Sequence, residues 1–104
     1  MLTLLLYDVV LNYVERRAPY RAEHLRYAEA AVARGELLLA GATADPTDLA
    51  VLLFRADRAT VERFAEGDPY VRNGLVTSFR VRGWTAVIGT LVEAAKGPDP
   101  ATSS

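Results

Sequence analysis

The chain has no cysteine and only one histidine, His24, one methionine and one tryptophan. Without cysteine there are no disulfides, thiolate nucleophiles, iron–sulfur ligands or zinc-thiolate sites. One imidazole without a cluster of partners predicts no metal site. Net charge is almost absent, with 12 Lys and Arg against 13 Asp and Glu, so no field gathers nucleic acid or anionic lipid non-specifically. Long apolar runs are missing too. Met1-Leu2-Thr3-Leu4-Leu5-Leu6-Tyr7 has no basic flank, and Asp8 ends it well short of a membrane span. These absences predict a cytoplasmic protein whose partners include neither nucleic acid nor membrane. They also concentrate the available chemistry on His24 and on a carboxylate that could orient it.

What is present fits one domain. A chain of 104 residues buries roughly two thirds of its unfolded surface. Leu2 to Val10 reads as a strand, being apolar and too short for a convincing helix. From about Arg16 to Arg34 the pattern is helical, with Pro19 in the first turn, Leu25, Ala28 and Val32 on one stripe, and Gly35 as a stop. Glu36 to Ala42 and Leu49 to Phe54 form an antiparallel hairpin around Thr43-Ala44-Asp45-Pro46-Thr47-Asp48. Asp57 caps a second helix through Glu66, with Val61, Phe64 and Ala65 inward and Gly67 ending it. A fourth strand spans about Leu75 to Arg82. The domain is read as residues 1–96, and the Pro- and Ser-containing segment 97–104 as a disordered tail.

The order β-α-β-β-α-β is the ferredoxin-like α+β arrangement, a four-stranded antiparallel sheet with both helices on one face. In the first strand Leu2, Leu4 and Leu6 face one side while Leu5, Tyr7 and Val9 face the other. The third strand repeats this, with Val51 and Leu53 opposite Leu52 and Phe54. Two helices cover one face only, so the second apolar face predicts a homodimer through the sheets. On the fourth strand Ser78, Arg80 and Arg82 share a face opposite Thr77, Phe79 and Val81, which makes part of that second face polar. Trp84 reads as a packing anchor.

For His24, on the first helix, the candidate partner is Asp68 in Asp68-Pro69-Tyr70-Val71-Arg72-Asn73-Gly74-Leu75, a polar turn between two structured segments. An oriented imidazole is a general base at neutral pH. The plain readings are a packed, hydrogen-bonded histidine and an aspartate capping nearby amides. Tyr7, Tyr20, Tyr27 and Tyr70 are candidate pocket walls with hydroxyls for a substrate oxygen. Tyr20 and Tyr27, four residues before and three after His24, can share its helix face. Arg72 is a candidate for a substrate carboxylate, as are Arg80 and Arg82.

Three stretches together resemble the YciI-like, or YCII-related, family of small dimeric α+β barrel proteins. They are Arg21-Ala22-Glu23-His24-Leu25, Gly35-Glu36-Leu37-Leu38-Leu39-Ala40-Gly41-Ala42 and the Asp68–Leu75 stretch. Their order and spacing cover roughly residues 1–88. The resemblance implies a ferredoxin-like fold dimerised through its sheets, with a pocket in which His24 and Asp68 form a catalytic pair. The family looks related to muconolactone isomerases and includes a dehydrochlorinase of a chlorinated hydroxyhydroquinone, so the implied chemistry is cofactor-free proton abstraction and elimination. Two departures, Ala42 where many relatives carry proline and the short hairpin loop, bear on the substrate more than on the fold.

The expected function is a cofactor-independent lyase or isomerase that uses the His24–Asp68 pair for proton abstraction on a small carbonyl, phenolic or chlorophenolic substrate. The alternatives are a non-catalytic domain that binds a small molecule or serves as an accessory subunit, and a cofactor-free monooxygenase of the dimeric barrel superfamily.

Overall fold

Period-two alternation builds the sheet. In a computed structural model, which describes residues 1–93, β1 (Leu2–Val9), β2 (Leu37–Ala42), β3 (Leu49–Arg55) and β4 (Val76–Trp84) form one antiparallel sheet in the order β2-β3-β1-β4. With α2 (Arg21–Ala33) and α3 (Arg58–Gly67) between the strands, this is the expected ferredoxin-like α+β fold. The boundary at 96 and the segment 97–104 lie outside the described residues. No helix among the described residues is long and apolar enough to cross a membrane.

The helix-facing side carries the core. Leu5 pairs with Leu52 and with Val81, and these three, with Phe54, Val61, Phe64 and Ala65, are buried in one cluster. Removing a leucine or phenylalanine side chain of this kind from water contributes about 1.5–3 kcal/mol. The other side of the sheet presents Leu4, Leu6, Val51 and Leu53, all half-buried, and Leu39, which is 68% exposed. On the same side β4 contributes the exposed Ser78, Arg80 and Arg82. Both β1 and β3 are therefore apolar on each face, as their sequences predict.

The register across the sheet leaves a gap under α2. One row of helix-facing residues runs Ala42, Ala50, Tyr7, Phe79, and the next runs Ala40, Leu52, Leu5, Val81. Three alanines thus fall together on the β2–β3 side, where larger residues would meet the helix.

The first helical stretch differs from the sequence reading. It starts earlier and breaks into α1 (Tyr13–Arg16), a 3-10 turn (Ala18–Tyr20) and α2, because Pro19 supplies no amide hydrogen to an α-helical ladder. The stripe Leu25, Ala28, Val32 is not the inward one. Ala31 is fully buried, Ala28 and Tyr27 are half-buried, and Leu25 and Val32 are 41% and 55% exposed. The small Ala31 lets α2 sit close to the sheet. Trp84 does not anchor the core either, being 48% exposed at the end of β4.

The turn after α3 is itself helical. Asp57 caps α3 by accepting from the Thr60 amide at 2.8 Å, as expected. Asp68 then opens α4 (Pro69–Arg72), accepting from the Tyr70 amide at 2.9 Å with Pro69 in the first position. The chain returns through Gly74, whose φ of 75° suits glycine.

Candidate functional site

α4 brings the chain's two candidate reactive residues together. His24 lies one turn into α2, and its Nδ1 is 2.8 Å from Asp68 Oδ1. Asp68 is fully buried, whereas the His24 side chain keeps 16% exposure. The Tyr7 hydroxyl donates to Asp68 Oδ2 at 2.8 Å, reaching up from the centre of β1. With the Tyr70 amide, three donors from three elements converge on one carboxylate. A carboxylate can only accept, so His24 carries a proton on Nδ1 and leaves Nε2 as its second functional nitrogen. The imidazole also stacks on the Tyr70 ring, with centroids 3.8 Å apart and planes 6° from parallel. The hydrogen bond and the stack between them fix both position and orientation.

Beside this pair lies a cavity of about 400 Å³ between α2 and the alanine-rich corner of the sheet. Tyr7, Tyr13 and Tyr70 supply aromatic walls, Leu25, Ala28, Ala40, Ala42, Ala50 and Leu52 supply apolar surface, and His24, Arg17 and Arg21 supply polar groups. A mostly apolar hollow with a few directed polar groups is the form of a small-molecule site. Among the described residues no group of three His, Cys, Asp or Glu side chains could hold a metal ion.

Of the residues singled out in the sequence, Tyr7, His24 and Tyr70 line the cavity, and Asp68 stands behind His24. Five others do not reach it, Arg80 and Arg82 because they lie on the opposite face of the sheet. Tyr20 closes the start of α2 and packs against Tyr13, Tyr70 and Leu75. Tyr27 turns to α3, where its hydroxyl donates to the Phe64 carbonyl at 2.8 Å. A Cβ on Gly67 would lie 2.5 Å from that hydroxyl, so glycine makes room for the ring. Arg72 is exposed, in a separate depression with Tyr27 and Asn73. Helix periodicity misassigned Tyr20 because it assumed one continuous helix, and Tyr27 because α3 supplies a closer acceptor. Tyr13, Arg17 and Arg21 were missed as site residues. Their signal depends on where the first helical stretch breaks, since 21, 24, 25 and 28 follow one face of α2 whereas Tyr13 and Arg17 precede it.

The tyrosines respond to this setting. Burial pushes the Tyr7 phenol far above its ordinary range, and the charge of Asp68 and the hydrogen bond to it act in the same direction. Burial likewise raises Tyr13, Tyr27 and Tyr70. A phenol raised in the folded state favours folding below its unfolded value, near 10.0, and that contribution is lost as pH rises beyond it. The urea midpoint should therefore fall as pH climbs past about 10, and Tyr7→Phe should show a shallower fall. At neutral pH the same variant should lose about 1.5–3 kcal/mol, the usual worth of a hydrogen bond to a charged group. Denaturation curves of both proteins at neutral and alkaline pH check this.

The model of the YCII-related domain matches residues 1–85. The chain belongs to the YCII-related family. Among solved structures this YCII-related chain is similar to 5-chloro-2-hydroxyhydroquinone dehydrochlorinase from Burkholderia phenoliruptrix AC1100, in complex with 2,5-dihydroxybenzoquinone. The TM-score is 0.69 and the identity 25%, over 81% of this chain and 93% of that one. No curated protein matches the YCII-related chain.

Proposed function

We propose that this YCII-related protein is a cofactor-independent lyase or isomerase that removes a proton beside a carbonyl or phenolic oxygen of a small substrate. The observation that carries this reading is a cavity-lining imidazole whose Nδ1 is held by a buried carboxylate with three donors. In this scheme His24 Nε2 takes the proton, and the released electron pair moves toward the carbonyl or expels a leaving group such as chloride from the neighbouring carbon. Asp68 keeps Nδ1 protonated and stabilises the imidazolium as it forms. The likeness to a dehydrochlorinase with a bound dihydroxybenzoquinone supports this reaction class.

A thermal-shift screen with 2,5-dihydroxybenzoquinone and small phenols, followed by assay of chloride release from 5-chloro-2-hydroxyhydroquinone, tests the proposal. A ligand that binds only the folded state raises its melting temperature. Stabilisation together with release supports it. Stabilisation without turnover of any ligand that binds would instead make the protein a binding or accessory domain.

The proposal extends to assembly. A second copy covers the apolar side of the sheet, where Leu39, Val51 and Leu53 border a shallow apolar depression. Sedimentation should give a dimer for the native chain and a monomer for Leu53→Asp, because an unpaired charge in an apolar seam costs several kcal/mol. A native monomer at micromolar concentration would overturn the dimer.

A further inference from the structure

The cavity is basic on its solvent side. Arg17, half-buried just before the 3-10 turn, and Arg21, the exposed first residue of α2, both line it, and no acidic side chain does. Ion pairs among the described residues join His24 to Asp68, Arg34 to Glu36, Arg58 to Glu62 and Arg80 to Asp8. Neither cavity arginine has such a partner. Arg17 is held in place by the Tyr13 ring, its guanidinium carbon 5.1 Å from the centroid.

An independent observation points to the same spot. The Tyr70 hydroxyl is buried, on a residue only 1% exposed, and it closes no hydrogen bond of normal geometry. Burial raises this phenol, while the nearby charges of Arg21 and Arg17 and a side-chain interaction with Arg21 oppose the rise. The hydroxyl and the Arg21 side chain thus lie at one spot, where a bound oxyanion would accept from both. The first turn of α2 adds to the field, since Tyr20 offers it no side-chain cap and its amide dipoles are positive at that end.

We infer that Arg17 and Arg21, with the Tyr70 hydroxyl, form an anion clamp that selects one-ring substrates bearing a carboxylate or an ionised ring oxygen. Planar guanidinium groups match planar oxyanions in charge and geometry. The volume of about 400 Å³ and the alanine floor fit the rest of a single ring beside His24. This assignment rests on the cavity being the substrate site, and it requires no turnover.

Calorimetric binding to the full chain tests it with two matched pairs, benzoate against benzamide and 4-nitrophenolate against 4-nitroanisole. Each anion should bind at least about tenfold tighter than its neutral counterpart. Arg17→Gln and Arg21→Gln should each weaken anion binding by about tenfold and leave the neutral compounds unaffected. A preference for benzoate assigns a carboxylate to the clamp, and a preference for 4-nitrophenolate assigns a ring oxygen. Equal affinity for charged and neutral members, no binding of either anion, or unchanged anion binding in both Arg17→Gln and Arg21→Gln would overturn the clamp. If a variant fails to fold, the comparison of charged and neutral ligands on the native protein decides alone. Anion binding without turnover of any substrate would refute the catalytic proposal and keep the clamp, whereas turnover with no preference for anions would do the reverse.

Discussion

Asp68→Ala is expected to lose about 3–5 kcal/mol of stability, because a buried donor left without its acceptor costs about 1–3 kcal/mol and three donors share this carboxylate. The wild-type carboxylate is fully buried and satisfies the Tyr7 hydroxyl, His24 Nδ1 and the Tyr70 amide together. Alanine leaves all three donors without an acceptor and uncaps α4. Urea denaturation measures the loss. A change within about 0.5 kcal/mol, typical of surface substitutions, would mean that water replaces the carboxylate at little cost. Asp68→Asn retains one acceptor oxygen and should fall between the native protein and Asp68→Ala.

His24→Gln is expected to lower turnover about 10²–10⁴-fold, the usual contribution of a positioned general base, with a much smaller effect on stability. The imidazole retains 16% exposure, so its loss opens no sealed cavity. Steady-state kinetics on the substrate identified by the screen, together with a melting curve, separate the two effects. Turnover within a few-fold of native would remove His24 as the base and leave it as a stacked, hydrogen-bonded helix residue.

The strands were legible because their alternation is strict. Leu5 and Tyr7 in β1, and Leu52 and Phe54 in β3, face the helices as their spacing requires. Local periodicity failed where tertiary packing chose the contact. Proline broke the first helix, and a small alanine rather than Leu25 or Val32 met the sheet. The approach of His24 to Asp68 across 44 positions follows from no local pattern. It was anticipated from the topology and from resemblance, whereas Tyr13, Arg17 and Arg21 required knowing where α1 ends and α2 begins. The stretch at Asp68 reads in the sequence as a polar turn with the aspartate capping nearby amides, and in the structure that cap opens a short helix, α4.

The corner of the sheet where Ala40, Ala42 and Ala50 adjoin has a consequence for how this site can change. Those three alanines come from β2 and β3, while the groups proposed to move the proton come from α2 and α4. Adding a methyl or two at Ala40 or Ala42, on an edge strand, narrows the hollow without displacing His24, Asp68 or the Tyr70 ring beneath the imidazole. Substrate shape and proton transfer can therefore vary separately, so a laboratory library confined to two exposed positions of one edge strand could alter selectivity while the reactive geometry is inherited intact.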